Sequence, residues 1–145
     1  MKNVNERFLS MEVIWFDDHM LELNITASNG RYFGTTEVYD TKESLLDLAR
    51  DLNGFPFNKR TPKCKLGDKD LYAFFEVDFK NVLASGKCGV VIKIEENTGS
   101  EYRENEKDKL CLELFVEPSA IDLFAKELMT MAHRQNGVAV LNGTI

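Results

Sequence analysis

The stretch YDTKESLLDLARDLNGFP, residues 39–56, contains the start, the body and the end of one helix. Asp40 or Thr41 can cap the free amides at its start. Gly54 supplies a left-handed stop, and Pro56 prevents continuation. Because so short a helix is not stable alone in water, it needs a surface on which to pack. Its apolar residues recur at helical spacing and form one stripe for that purpose: Leu45, Leu48, Ala49 and Leu52.

Strand-like runs on both sides of the helix are the expected surface. Asn29-Gly30 is a strong signal for a hairpin before the helix. Gly34 indicates a bulge or the close approach of another backbone. In the first run, Met11, Val13 and Trp15 alternate only loosely with polar positions. Three runs precede the helix and three follow it: residues 8–16, 21–27, 31–39, 71–79, 87–95 and 110–116.

A second helix is expected to begin at Pro118, since proline is favoured in the first helical turn. Its buried stripe would consist of Ile121, Phe124, Leu128 and Met131. A short edge strand is expected near residues 64–66. The order of strands, helix, strands and helix, with short links, predicts an α+β fold. We expect a single antiparallel β-sheet of about six strands, meander-like and able to curl or split into two layers, with two α-helices packed on it.

One domain is expected to span residues 1–145, since this length suits a single compact unit. Residues 1–7 are polar and are expected to fray. The apolar tail, residues 137–145, could form a last strand, an oligomer contact or a disordered end. Both ends are therefore expected at the periphery of the domain or in disorder.

Composition and charge exclude several classes of function. The net charge of −6 argues against a nucleic-acid binder, because phosphate affinity depends on clustered Lys and Arg. Mild acidity is compatible with a basic protein partner, although it also serves solubility. No apolar run approaches the ~20 residues of a membrane span, and the first residues lack an apolar signal core. The three scattered cysteines fit a reduced setting. We therefore expect a cytoplasmic protein that binds neither membrane nor nucleic acid.

The sequence contains no recognisable catalytic or metal-binding motif. Walker A, dinucleotide-binding and G-x-S-x-G patterns are all missing from it. Asp17, Asp18 and His19 could suggest a metal, but adjacent residues in a tight turn rarely converge on one ion, so turn chemistry is favoured. His133 suits the negative end of a helix, and Cys64 is expected in an edge strand despite its flanking lysines. We predict a non-enzymatic protein without metal or cofactor.

Two surface features remain as candidates for binding a protein partner. One is the acidic segment from Glu95 to Asp108 together with the Asp17-Asp18 turn, which could face a basic partner. The other is a set of aromatic residues on secondary strand faces, which helices could equally cover. The candidate partner-binding residues are Asp17, Asp18, Tyr72, Phe74, Glu95, Glu96, Glu101 and Glu104, with Tyr32 and Tyr39 as further aromatic members of the second feature.

Three motifs resemble a family of small bacterial proteins. They are S-N-G-x-x-x-G-x-T-E-V-Y at residues 28–39, the helix end L-N-G-F-P at residues 52–56, and E-P-S-A-I-D-x-F-A-x-E-L at residues 117–128. Together they resemble WapI-type immunity proteins and related small families, over roughly residues 11–131. This resemblance implies a cytoplasmic protein that binds and neutralises a cognate toxin domain by occlusion. It provides no catalytic residues to carry over.

Two other classes of function stay open on these residues. A small-ligand-binding or accessory domain would be favoured by a deep cleft lined with aromatic residues. An enzyme would be favoured by a cleft that holds His19 or His133 beside a carboxylate or Cys64.

Overall fold

The computed structural model describes residues 6–69, 72–97 and 107–144. In these ranges it contains two helices and eight strands, and the predicted α+β class is confirmed. In chain order the elements are β1 (Arg7–Phe16), β2 (Leu21–Asn29), β3 (Phe33–Asp40), α1 (Lys42–Leu52), β4 (Lys63–Gly67), β5 (Ala73–Val82), β6 (Cys88–Asn97), β7 (Lys107–Val116), α2 (Pro118–Arg134) and β8 (Val138–Asn142).

The strands form two antiparallel sheets of four strands, so the prediction of a single sheet of about six strands is wrong. The first sheet has the order β3-β2-β1-β8, and the second sheet has the order β4-β5-β6-β7. Alternation along a strand determines which side chains share a face, but it leaves the neighbouring strand undetermined. After β3 the chain enters α1 instead of another hairpin, and at β4 it begins a new sheet.

The tail forms the last strand of the first sheet. β8 pairs with the first half of β1, from Phe8 opposite Asn142 to Glu12 opposite Val138. Ala139 is fully buried in this arrangement, as is Leu141 two residues later. Of the three alternatives for the tail, the structure therefore shows the last strand, which is β8.

One hydrophobic core is shared by both sheets and both helices. β3 packs against β4, β5 and β6, so it crosses three strands of the second sheet. A Cβ atom at Gly34 would overlap Leu110 Cδ2 on β7. The close neighbour of Gly34 is therefore a side chain, and neither the predicted bulge nor a close backbone is found there; this contact brings the two sheets together.

The helices begin and pack as the sequence predicts. Thr41 is the N-cap of α1, and its side chain accepts a hydrogen bond from Ser44 N at 3.3 Å. Gly67 N donates to Asp40 Oδ2 at 3.0 Å, which ties the start of α1 to the end of β4. The two helices pack on each other, α1 also against β4 and α2 also against β8. The predicted apolar stripes of both helices are buried. In the described ranges, neither helix has the length and hydropathy that a membrane span requires.

Candidate binding surface

The outer face of the first sheet, opposite the core, is polar and aromatic. Strand register aligns three rows of side chains on this face across β1, β2 and β3, beyond the row of Phe8, Ser28 and Phe33 at the other end. None of these nine side chains is buried. We call them the acidic–aromatic face: Trp15, Glu22 and Tyr39 in the first row, Glu12, Asn24 and Glu37 in the second, and Ser10, Thr26 and Thr35 in the third.

A β-bulge places Trp15 on this face. The register of β1 against β2 shifts between Val13 and Trp15, so Ile14 is an extra residue. A bulge of this kind reverses the side to which the following residue points. Strict alternation would have placed Trp15 in the core beside Val13, whereas the bulge places it opposite Glu22. The loose alternation seen in the sequence has this cause.

The rings of Trp15 and Tyr39 form the aromatic centre of the face. Their centroids lie 6.2 Å apart in an edge-to-face arrangement, a geometry that aromatic pairs prefer. Both rings remain half-exposed, at 47% and 53%. The charge of Glu22, followed by partial desolvation and a hydrogen bond to the same carboxylate, raises the pKa of Tyr39. The phenol therefore keeps its proton and donates a hydrogen bond to the Glu22 carboxylate.

The Asp17-Asp18 turn lies directly after Trp15 and Phe16 at one end of the face. Asp17 Oδ1 accepts hydrogen bonds from the N–H groups of His19 and Met20, both at 2.8 Å. These two bonds lower the pKa of Asp17. The predicted turn chemistry accounts for Asp17. Within the described ranges, no three His, Cys, Asp or Glu residues group closely enough to hold a metal ion.

A cleft of about 520 Å³ borders the acidic–aromatic face along β3. We call it the β3 cleft. Tyr72, one of the predicted binding residues, stands on its far side with 77% of its surface exposed. The acidic side chains in its lining are Glu37, Asp40 and Asp68. The cleft is lined by Met20, Glu37, Val38, Tyr39, Asp40, Thr41, Gly67, Asp68, Tyr72 and Ala73.

Two other predicted residues lie on the second sheet, away from this cleft. Phe74 and Glu95 are paired across β5 and β6, and only 6% and 8% of their surfaces are exposed. Lys69 Nζ and Lys107 Nζ each lie 3.9 Å from a carboxylate oxygen of Glu95. Lys69 also lies over the Phe74 ring, with Nζ 5.9 Å from its centroid. This carboxylate is therefore buried near two lysines, although no described residue donates a hydrogen bond to its Oε1 atom.

Glu96 does not join the face. Glu96 is exposed on β6 opposite Ala73 and Asp108. Glu101 and Glu104 lie outside the described residues. The structure thus gathers Tyr72 at the β3 cleft and the Asp17-Asp18 turn at the end of the neighbouring face.

Sequence reasoning missed Trp15, Glu22 and Glu37 as members of the surface. The two glutamates occupy outward positions of regular strands, and such positions are charged in most proteins. The signal that could have found them is a charge count by segment. Residues 8–40 contain six carboxylates, and Arg31 is their only lysine or arginine.

The outer face of the second sheet has the opposite character. Glu76 lies at its centre, and three lysine Nζ atoms surround its carboxylate: Lys63 at 3.9 Å, Lys65 at 3.9 Å and Lys93 at 3.7 Å. Three positive charges thus surround one negative charge, and the local net charge is positive. The two outer faces therefore carry opposite local charge.

The three side chains named in the enzyme hypothesis lie on different elements. His19 is exposed in the turn after β1, and His133 is exposed in the last turn of α2. Burial, followed by the charges of Asp40 and nearby carboxylates, raises the pKa of Cys64 to about 12. The thiol therefore stays protonated at neutral pH and is a poor nucleophile. Neither histidine nor Cys64 lines any of four clefts formed by the described residues.

Comparisons of the chain with protein-family models, with curated proteins and with solved structures found no match.

Proposed function

We propose that this chain is a non-enzymatic binding protein that recognises a basic protein partner through the acidic–aromatic face and the β3 cleft. One observation carries this proposal. Two half-exposed rings, Trp15 and Tyr39, contact each other on a sheet face whose charged groups are all carboxylates.

Aromatic rings and carboxylates have different tasks in such an interface. Tyr and Trp supply a large contact area at a low cost in conformational entropy, and they are enriched among residues that dominate binding energy. Glu12, Glu22 and Glu37 surround the rings and would steer a cationic partner and select it against acidic competitors. The Tyr39 ring contacts Trp15, and its hydroxyl group bonds to Glu22, so these contacts reduce the conformational freedom that the ring loses on binding.

In its most concrete form, the proposal is a cytoplasmic immunity protein that neutralises a cognate bacterial toxin by covering its working surface. Support for the toxin as partner comes from the three sequence motifs that resemble WapI-type immunity proteins. A basic toxin domain would match the charge of the face. Neutralisation of this kind requires binding alone and no reaction.

The test is co-expression of this chain with the protein encoded beside its gene. We expect growth to be restored and a complex to be isolated by size-exclusion chromatography. Trp15→Ala or Tyr39→Ala should weaken the complex about tenfold or more, since each removes a central aromatic anchor. Matched controls are Phe57→Ala and Leu123→Ala, which remove exposed apolar side chains from a loop and from α2 and should leave the affinity unchanged.

Two results would overturn this proposal. One is a neighbouring protein that is toxic but is neither bound nor neutralised. The other is a complex that the control substitutions weaken as much as Trp15→Ala and Tyr39→Ala do.

A second candidate function, binding of a small ligand, is favoured by the size of the β3 cleft. Its volume of about 520 Å³ lies within the range of small-molecule sites. Tyr39 and Tyr72 provide aromatic walls beside carboxylates, a combination that suits an organic cation. A rise in melting temperature with such a compound, lost in Tyr72→Ala and retained in Leu123→Ala, would favour this reading over a protein partner.

A further inference from the structure

The edge strands of the two sheets differ in how their outward-facing backbone N–H and C=O groups are covered. At the edge of β8, Val140 N donates to Glu127 Oε1 at 2.9 Å. At the edge of β7, Phe115 O accepts from Thr144 N at 2.8 Å. β4 is only five residues long and carries Lys63 and Lys65. Covering groups, short length and lysines are all devices that keep another strand from pairing with an edge.

β3 has none of these devices at its end beside the cleft. It is eight residues long and contains no lysine and no proline. In the part of the chain that the structure describes, no backbone hydrogen bond from another segment reaches the backbone of Glu37 or Tyr39.

Strand register determines where those backbone groups point. In an antiparallel pair, residues whose N–H and C=O groups face the neighbour alternate with residues whose groups face away. Asn29 N donates to Tyr32 O at 3.1 Å in the hairpin between β2 and β3. Counting along the register from this bonded pair, Val38 faces β2, whereas Glu37 and Tyr39 face the free edge.

The hairpin between β1 and β2 gives the same answer independently. Asp17 N donates to Met20 O at 3.0 Å, so Glu22 directs its backbone groups toward β1. Its partner on the other side, Tyr39, must then direct its own groups away from β2. Each of the two edge-facing residues offers one donor and one acceptor to the β3 cleft.

We propose that the partner contributes an extended segment that adds to β3 as a further strand of the first sheet. This inference rests on the proposed function and identifies the chemistry of the partner. Side chains of an added strand alternate between the two faces of the sheet. On one side they would lie beside Glu37 and the Glu22–Tyr39 pair, where lysine or arginine is complementary. On the other side they would lie over Val38 and Ala73 in the cleft, where apolar residues fit. The segment is therefore one in which basic and apolar residues alternate.

Two substitutions of Glu37 on β3 separate the contribution of backbone pairing to partner binding from the contribution of charge. Glu37→Pro removes an edge-facing N–H and breaks no hydrogen bond to β2, a position where strands tolerate proline. Glu37→Gln removes the same charge and keeps the N–H. We expect Glu37→Gln to weaken partner binding a few-fold, and Glu37→Pro to weaken it about tenfold further, since backbone bonds to the added strand are lost. Circular dichroism establishes that both variants are folded.

Amide exchange supplies a second readout that needs no substitution. The probe is a short synthetic peptide in which lysine alternates with valine. In the free protein, the amides of Glu37 and Tyr39 should exchange faster than those of Thr36 and Val38. On saturation with the peptide, Glu37 and Tyr39 should become protected. Equal affinities of Glu37→Pro and Glu37→Gln for the partner, or no new protection of these two amides by the peptide, would overturn strand addition.

The outcomes also separate this inference from the proposed function. Suppose that substitution of Trp15 or Tyr39 weakens partner binding while the amides of β3 stay unprotected. The proposed binding face is then supported, and strand addition is wrong. If the peptide protects Glu37 and Tyr39 but no basic protein partner is bound, strand addition stands and the proposed function fails.

Discussion

Thr36 places a hydroxyl group inside the core, where none of the described residues accepts or donates a hydrogen bond to its Oγ1 atom. An unpaired buried hydroxyl loses its bonds to water without compensation. Thr36→Val keeps the branched shape and removes this loss, so it should raise the free energy of unfolding by about 1 kcal/mol. Urea denaturation measures the change.

Thr35→Val is the matched control for that substitution. The Thr35 hydroxyl lies 3.2 Å from Thr26 Oγ1 on the exposed acidic–aromatic face, so its removal gains nothing. Equal stabilisation by both substitutions would show that β-propensity, and not the unpaired hydroxyl, is responsible.

Cys64 makes stability depend on pH in the alkaline range. Burial raises the pKa of its thiol to about 12 in the folded chain. In the unfolded chain, the pKa of a cysteine thiol is about 8.5. Between these pH values the folded state binds a proton that the unfolded state has lost. The thiol therefore makes its full contribution to the free energy of unfolding at neutral pH. As pH rises, this contribution falls by at most about 1.4 kcal/mol per pH unit.

Replacing the cysteine tests that dependence. Cys64→Ala should flatten the plot of unfolding free energy against pH between about 9 and 11, whatever it does to stability at neutral pH. Cys111→Ala, which removes an exposed thiol from β7, should preserve the slope of the parent chain. An unchanged slope in Cys64→Ala would contradict the assignment.

At the scale of elements, the end of β4 at Gly67 is closely packed, whereas the turn between β5 and β6 is open at Gly86. Gly67 has φ of +75°, and a Cβ there would overlap Ala73 O. Gly86 has φ of +87° with nothing within 4 Å of such an atom. Gly86→Ala should cost about 1–2 kcal/mol of stability for its left-handed backbone alone. Gly67→Ala should cost about 2–5 kcal/mol, because overpacking adds to the same strain. Thermal unfolding distinguishes the two, and equal losses would show that Gly67 is not closely packed.

The sequence predicted those elements that have local signals. The Thr41 cap, the apolar stripe of α1 and the Asn29-Gly30 hairpin are each encoded by neighbouring residues, and each is found where it was expected. The sequence left a split into two layers undecided, because the split depends on which strand edges meet across the core. β8 illustrates this point, since its partner β1 lies at the other end of the sequence.

At the scale of the whole molecule, charge is divided between two outer faces. The first sheet presents Glu12, Glu22 and Glu37, whereas lysines surround Glu76 on the second sheet. A basic partner should therefore approach one side of the protein. Glu37→Lys should slow association with such a partner about tenfold at low salt.

Glu113→Lys is the matched control for approach to that side. It changes the net charge equally, but it lies on β7 of the second sheet. Stopped-flow kinetics at two salt concentrations should show slower association for Glu37→Lys only. Equal slowing would mean that net charge alone governs approach.

The candidate site was predictable only in part from the sequence. Tyr72 was chosen as an aromatic residue on a secondary strand face, and the structure places it at the β3 cleft. Phe74 was chosen by the same reasoning, and Glu95 was chosen as part of the acidic segment from Glu95 to Asp108, but both are buried and Lys69 approaches both. Trp15 was missed because an added residue in β1 is invisible to a two-residue period.

Because the bulge at Ile14 turns the chain's single tryptophan toward solvent, intrinsic fluorescence reports on the surface of this protein and not on its core. The emission of the native state should already resemble that of an indole in water, so unfolding should shift the emission maximum only slightly. Docking of a partner on the neighbouring rings should instead move it to shorter wavelength. A spectroscopist who follows denaturation by emission alone would therefore underestimate the transition that circular dichroism records.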